Sequence, residues 1–255
     1  MLNPIFLLSI VFASSCISQE HTGKAPTASP KPLFVGFVYF HSIFPKHWYN
    51  RNIAGSAESL DSSEIDRSKK TLNIAIKKYP RTVLQKNLKK VYFLKSLYFY
   101  SVNYGGTYWK DTLYIANSGE RLGYTVSFVE KTIHHEFSSI LMEHYPRFFN
   151  KKEWIKFNHV DFKYGSGGQK EIKEGKDSEE INSELNEKGF LTEYGMSSLE
   201  NDLNEIAQNL FVPEAGFWDA VNKYPKLKHK VDLAIIFYGK IDPIFTEAYF
   251  KEFMK

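Results

Sequence analysis

The spacing of apolar residues changes along this chain, and each change predicts an element. Leu33 to Phe40 (LFVGFVYF) is a β-branched and aromatic run that predicts a strand. From Ala57 to Tyr79, apolar residues at Leu60, Ile65, Leu72, Ile74 and Ile76 predict a helix that Pro80 ends. Lys90 to Val102 (KVYFLKSLYFYSV) is again rich in strand formers. Tyr104 to Thr107 (YGGT) reads as a turn. Tyr108 to Ala116 reads as a further strand, closed by Asn117-Ser118-Gly119. Phe128 to Tyr145 is predicted helical with Pro146 as its stop, and Trp154 to Phe157 falls in a short element. Gly165 to Lys188 has almost no large apolar residues and is predicted to be a solvated, mobile insertion. Ser197 to Phe211 predicts a helix with a serine cap, its core side made by Leu199, Leu203, Ile206 and Leu210. Phe217 to Tyr224, Lys228 to Tyr238 and Pro243 to Met254 predict three closing helices. Strands come first and helices follow, which predicts an α+β fold.

Composition narrows the function classes. With 255 residues, 43% of them hydrophobic, the chain is long enough to bury a sizeable core. Its 16 Tyr and 21 Phe suit β-structure and deep clefts. The net charge of +4 is small and diffuse, so no nucleic-acid partner is expected. The single cysteine rules out an intrachain disulfide and a cysteine-rich metal site. A metal would therefore need His, Asp or Glu.

The first residues read as an address. Pro4 to Ser15 (PIFLLSIVFASS) is too short to span a bilayer but has the length of a signal-peptide core. Residues 1–15 are expected to be removed. Ala13, Ser14 and Ser15 lead into Cys16, which places the cysteine where a bacterial lipoprotein signal is cut and lipidated. An ordinary secretory signal is the other reading, since Ala13 stands where such a signal usually has Leu and no Lys or Arg precedes the apolar run. The polar stretch from Gln19 to Lys31 suits a tether, so residues 16–31 are read as anchor and tether and 32–255 as one domain. The expected location is the cell envelope, lipid-anchored at the outer membrane or cell surface, or otherwise secreted or periplasmic.

The chemistry centres on His135-Glu136-Phe137-Ser138-Ser139. It is one residue short of H-E-x-x-H, in which two histidines four apart share a helix face and can both reach zinc. The Glu of that motif is placed to deprotonate a zinc-bound water. Here Ser139 stands at the second His position. His134 is turned by about 100° and His144 by about 180° from His135 on a helix, so neither takes that place.

The order of several motifs resembles the zincin metallopeptidases, specifically the zinc-binding metallopeptidase lipoproteins associated with bacterial substrate import. The lipoprotein-like start comes first, and YGGT then leads into an edge-like strand, Thr107 to Ala116. Next are Ile133 to Phe137 (IHHEF) and Gly189 to Gly195 (GFLTEYG), the latter like the family's G-F-x-S/T-x-Y-A/G. Asn201 to Glu205 (NDLNE) then resembles the family's E-D-F-A-E. The resemblance covers residues 85 to 215 and, in weaker form, the rest of the mature chain. It implies a zincin-like domain in which Glu136 is the general base and His135 holds the metal with Glu205 or Glu200. The same alignment puts Ser139 and Asn201 at two ligand positions, so the implied zinc site is degenerate and zinc is expected to bind weakly. It also places Thr107, Tyr108, Trp109 and Tyr194 along the substrate cleft, with the strand from Tyr108 to Ala116 pairing with an extended peptide.

Two function classes follow. One is a metallopeptidase-like envelope lipoprotein, a hydrolase expected to be weakly active or inactive. The other is a non-catalytic surface module that holds peptide or glycan for a substrate-import system, with outer-membrane import partners. Ser139 and Asn201 bonded to each other or to water would favour the second. Lys86 to Lys90 and Lys223 to Lys230 read as solvated faces. Tyr104-Gly105-Gly106 lacks the Lys-Ser/Thr of a phosphate loop.

Overall fold

In the computed structural model, residues 32–165 and 168–254 are described. The expected signal segment 1–15, Cys16 and the tether to residue 31 lie outside them. The elements in chain order are β1 (Phe34–Gly36), β2 (Ser56–Ser59), α1 (Ile65–Ile76), α2 (Arg81–Asn87), β3 (Lys90–Phe99), β4 (Val102–Asn103), β5 (Gly106–Trp109) and β6 (Thr112–Ala116). They continue with α3 (Val126–His144), α4 (Lys151–Lys156), α5 (Gly168–Glu174), α6 (Ser183–Lys188), α7 (Leu199–Phe211), α8 (Phe217–Lys223), α9 (Pro225–Ile241) and α10 (Glu247–Lys251). The α+β expectation holds, with strands in the first half and helices in the second. No helix among the described residues is long and apolar enough to cross a membrane.

One mixed sheet organises the first half. Its strand order is β1-β3-β6-β5, with β2 and β4 also paired to β3. β3 runs parallel to β1 and β6, while β5 folds back antiparallel on β6. Side chains alternate across a strand, so β3 and β6 feed two cores. Val91, Phe93, Leu113 and Ile115 enter the main core with the helices, and Tyr92, Leu94, Tyr114 and Ala116 enter a second core with Ile43, Phe44 and Phe99. Burial on both faces explains why these strands read as continuous apolar runs rather than alternating ones.

The differences from the sequence reading have local causes. The helix expected from Ala57 begins only at Ile65, because Ser56–Ser59 is drawn into antiparallel pairing with β3. A helix not anticipated, α2, starts directly after Pro80 and buries Val83. The strand expected from Tyr108 to Ala116 is a hairpin, in which Lys110 takes a left-handed backbone (φ 55°) and Trp109 pairs with Thr112. Of the two hairpin strands, β5 lies at the sheet edge, while every residue of β6 is buried. The stretch 165–188, expected to be solvated and mobile, carries α5 and α6. Asn186 of α6 is buried, and its Nδ2 donates to the carbonyls of Phe190 and Leu191.

A buried charge pair pins the C-terminal helices. Lys230 of α9 is fully buried, and its Nζ donates to Asp202 Oδ2 of α7 at 2.6 Å. The same oxygen accepts from Trp154 Nε1 at 2.8 Å and from the Tyr164 hydroxyl at 2.6 Å. The ammonium also lies over the Phe190 ring, 3.9 Å from its centroid. The stretch from Lys223 to Lys230 thus ends in a core lysine, not in a solvated one. Lys230→Met removes one partner and strands the buried carboxylate, so it is expected to destabilise the protein by about 3–5 kcal/mol. Urea unfolding monitored by circular dichroism measures the loss.

Candidate functional site

Helices α3 and α7 pack side by side in the main core and turn one polar stripe each toward the other. Thr125 and Ser198 cap their starts, accepting from Phe128 N at 3.1 Å and Asn201 N at 3.0 Å. On α7, Asn201, Asn204, Glu205 and Gln208 stand at i, i+3, i+4 and i+7, which is a single helix face. On α3 the facing residues are His135 and Ser139, one turn apart.

His135 is only 8% exposed. Its Nδ1 lies 3.3 Å from Glu205 Oε1 and 3.2 Å from Gln208 Oε1. Both oxygens are acceptors, so Nδ1 carries a proton and Nε2 is the ring's free nitrogen. Glu205 is fixed in turn, because its Oε2 accepts from the Thr192 hydroxyl at 2.9 Å, and that hydroxyl accepts from Gly195 N at 3.1 Å. Tyr194 stacks on the His135 ring at 6.0 Å between centroids. The G-F-L-T-E-Y-G segment thus buttresses His135 from two sides. Ser139 is buried, and its Oγ accepts from Asn204 Nδ2 at 2.7 Å. Asn201 instead donates its amide to Ser197 Oγ at 2.6 Å, so the partner of Ser139 is Asn204 and not Asn201.

Strand β5 closes the site on its sheet side. A Cβ on Gly106 would come within 2.6 Å of Thr132 Cγ2 and 2.9 Å of Glu136 Cγ, so only glycine lets the strand lie this close to α3. Two cavities, of about 530 and 540 Å³, meet at His135, Glu136, Gly106 and Tyr194. The first runs under the 165–188 stretch and is lined by its Asp177, Glu179 and Glu180. Glu179 reaches α7 directly, accepting from Gln208 Nε2 at 3.3 Å. Gly165, Gly168 and Gln169 of the same stretch line the second cavity, so it borders both arms of the cleft. The second cavity follows β5 past Thr107 and Tyr108 to Ser139, Glu200 and Asn204. Trp109, expected in the cleft, lines neither cavity. It is 39% exposed and packs against His47 at 4.8 Å.

The charges are strongly coupled. Burial alone would push the His135 imidazolium down, but the bond to Glu205 and the charges of Glu136, Glu205 and Glu179 raise it to about 9. Burial raises Glu136 to about 7, with His135 opposing and Glu200 and Glu179 assisting. Burial and Glu205 raise Glu179 to about 7. Among the described residues, no three or more His, Cys, Asp and Glu side chains form a group able to hold a metal ion. Of the two carboxylates expected to hold a metal with His135, Glu205 lies against Nδ1 of the ring and Glu200 lines the cavity along β5. His134 points into the core, with Nδ1 2.8 Å from the Tyr79 hydroxyl, and His144 bonds Asn87 Oδ1 at 2.8 Å.

Asn204, Gln208, Thr192 and Glu179 were not singled out by the sequence reading. The first two carried a signal, namely polar residues at helical spacing along a helix that is otherwise apolar. Glu179 carried none, since its surroundings have no periodicity.

The family model described as "Putative zinc-binding metallo-peptidase" matches residues 76–252. Among solved structures, the chain is similar to a putative zinc-binding metallo-peptidase from Bacteroides caccae ATCC 43185. The two are 16% identical with a TM-score of 0.54, and the match covers 86% of this chain and 84% of that one. At that identity the likeness shows the fold. No curated protein matches.

His135, Glu136 and Glu179 all hold their protons more tightly in the fold than in the unfolded chain. Their contribution to stability is fully present below the unfolded values, 4.5 for Glu and 6.5 for His. It is lost as pH rises through about 7 for the carboxyls and about 9 for the imidazole. Glu136→Gln should therefore gain stability relative to wild type on going from about pH 5 to about pH 8. Urea midpoints at the two pH values test this, and a constant difference would refute it.

Proposed function

The chain belongs to the family described as "Putative zinc-binding metallo-peptidase", and from that premise we propose that it uses the family's cleft to hold an extended peptide rather than to hydrolyse one. The observation that carries the reading is the bond between Asn204 and Ser139. Where the motif would place a second imidazole, a neutral hydroxyl is already engaged by a neutral amide. At the third expected ligand position stands Asn201, whose amide is spent on Ser197.

The donor set does not fit zinc. Zinc sites use three or four strong ligands, and among the described residues no three His, Cys, Asp or Glu side chains form such a group here. What remains is a complete support for His135, held by Glu205 and Gln208, beside a carboxyl at Glu136. Such a pair can hold and share a proton.

A peptide suits the shape of the cleft. β5 pairs only with β6 among the described residues, so its outer backbone groups can accept a further strand. Tyr108 and Tyr194 then flank the added chain, with the acidic arm at one end. The sequence adds the place of work. A signal segment ending at Cys16 supports a lipid-anchored protein of the cell envelope, where a binding module can present peptide to an import assembly.

Metal analysis of the purified protein should find no stoichiometric zinc at micromolar metal. The double substitution Ser139→His with Asn201→Glu should create a tight site, read by competition with a chromogenic chelator. Stoichiometric zinc in the wild type, lost in His135→Ala, would overturn the reading.

A further inference from the structure

The cavity along β5 is short of a cation. Two carboxylates, Glu136 and Glu200, line it, and no Lys or Arg does. Its only imidazole, His135, is already matched by Glu205 on the far side of the ring. Among the described residues, the Glu136 carboxyl has no hydrogen bond and no ion pair, although it is half-buried.

A second observation is independent of the charges. Asn204 is 1% exposed and lines the same cavity, and its Oδ1 has no hydrogen-bond partner. Its other end is committed, since Nδ2 donates to Ser139. A buried acceptor without a donor is rare in folded proteins and marks a place where a ligand donor belongs.

We propose that this cavity binds an alkylammonium group, supplied by a lysine side chain or by the free amino end of a peptide, between Glu136, Asn204 and Glu200. The inference rests on the reading of the cleft as a metal-free peptide site and names the group that the site selects. An ammonium offers three N–H donors, and the cavity offers the matching acceptors from three side chains. The Tyr104, Tyr108 and Tyr194 rings supply walls that attract a cation through their faces. Replacing a ligand histidine by Ser139 and placing Asn204 against it leaves room and acceptors for a nitrogen cation in the part of the cleft that the motif would give to a metal.

The test uses three peptides of one length, titrated calorimetrically into the full protein with a chelator present. One has an acetylated amino end and a central lysine. The second has norleucine in place of that lysine. The third keeps norleucine but has a free amino end. One of the two charged peptides should bind about tenfold or more tightly than the neutral one, and which of them does so identifies the source of the ammonium. The preference should disappear in Glu136→Gln and weaken in Glu200→Gln, with thermal melts of both variants showing an intact fold. Equal affinity for all three peptides, no binding of any, or an undiminished preference in Glu136→Gln would overturn the proposal. None of these touches the metal-free reading. That reading falls instead if stoichiometric zinc is found and the chelator abolishes the peptide binding seen without it.

Discussion

The site depends on the seam between α3 and α7. These helices are buried along most of their length, yet their facing stripes are polar, and a buried polar group is costly unless it is bonded. The seam meets that cost with paired contacts one turn apart. His135 meets Glu205 and Gln208 at one level, and Ser139 meets Asn204 at the next. Each pair fixes the register of one helix against the other, because a slip along the axis would strand several buried donors and acceptors at once.

Everything else in the cleft is placed by reference to that seam. Gly106 lets β5 approach α3 so closely that Glu136 and Thr132 lie against its backbone. Thr192 reaches across to Glu205, which ties the loop carrying Tyr194 to the back of the imidazole. Glu179 ties the 165–188 stretch to Gln208. The cleft is thus assembled from three separate parts of the chain, each attached to the same pair of helices.

Membership of this family and a seam that includes the neutral bond between Asn204 and Ser139 are compatible once fold and chemistry are separated. The fold of this chain holds His135 against Glu205, which Thr192 buttresses. On the proposed reading, zinc chemistry would need two further strong ligands, whereas Ser139 is engaged by Asn204 and Asn201 by Ser197. The two side chains are coupled in space: the short side chain at 139 leaves room for the amide at 204, and the amide satisfies the hydroxyl. The result is a cleft of carboxyls, amides and tyrosines whose excess of acceptors favours a donor-rich ligand.

The sequence by itself determined the helices that matter most. The apolar spacing and caps of Val126–His144 and Leu199–Phe211 are local properties, and motif order was enough to put His135, Glu136, Ser139 and Asn201 in one neighbourhood. It also marked GFLTEYG as a unit, though not what Thr192 holds. Only the tertiary structure decided which side chains meet. Ser56–Ser59 became a strand because β3 offered it a partner, and Tyr108 to Ala116 became a hairpin because Lys110 could turn, contacts that no apolar period encodes. The choice of Asn204 over Asn201 as partner of Ser139 follows from the rotation of α7 about its axis, which the whole core sets through Leu203, Ile206 and Leu210. Long-range packing therefore fixed the pairing, whereas local spacing had already fixed the faces.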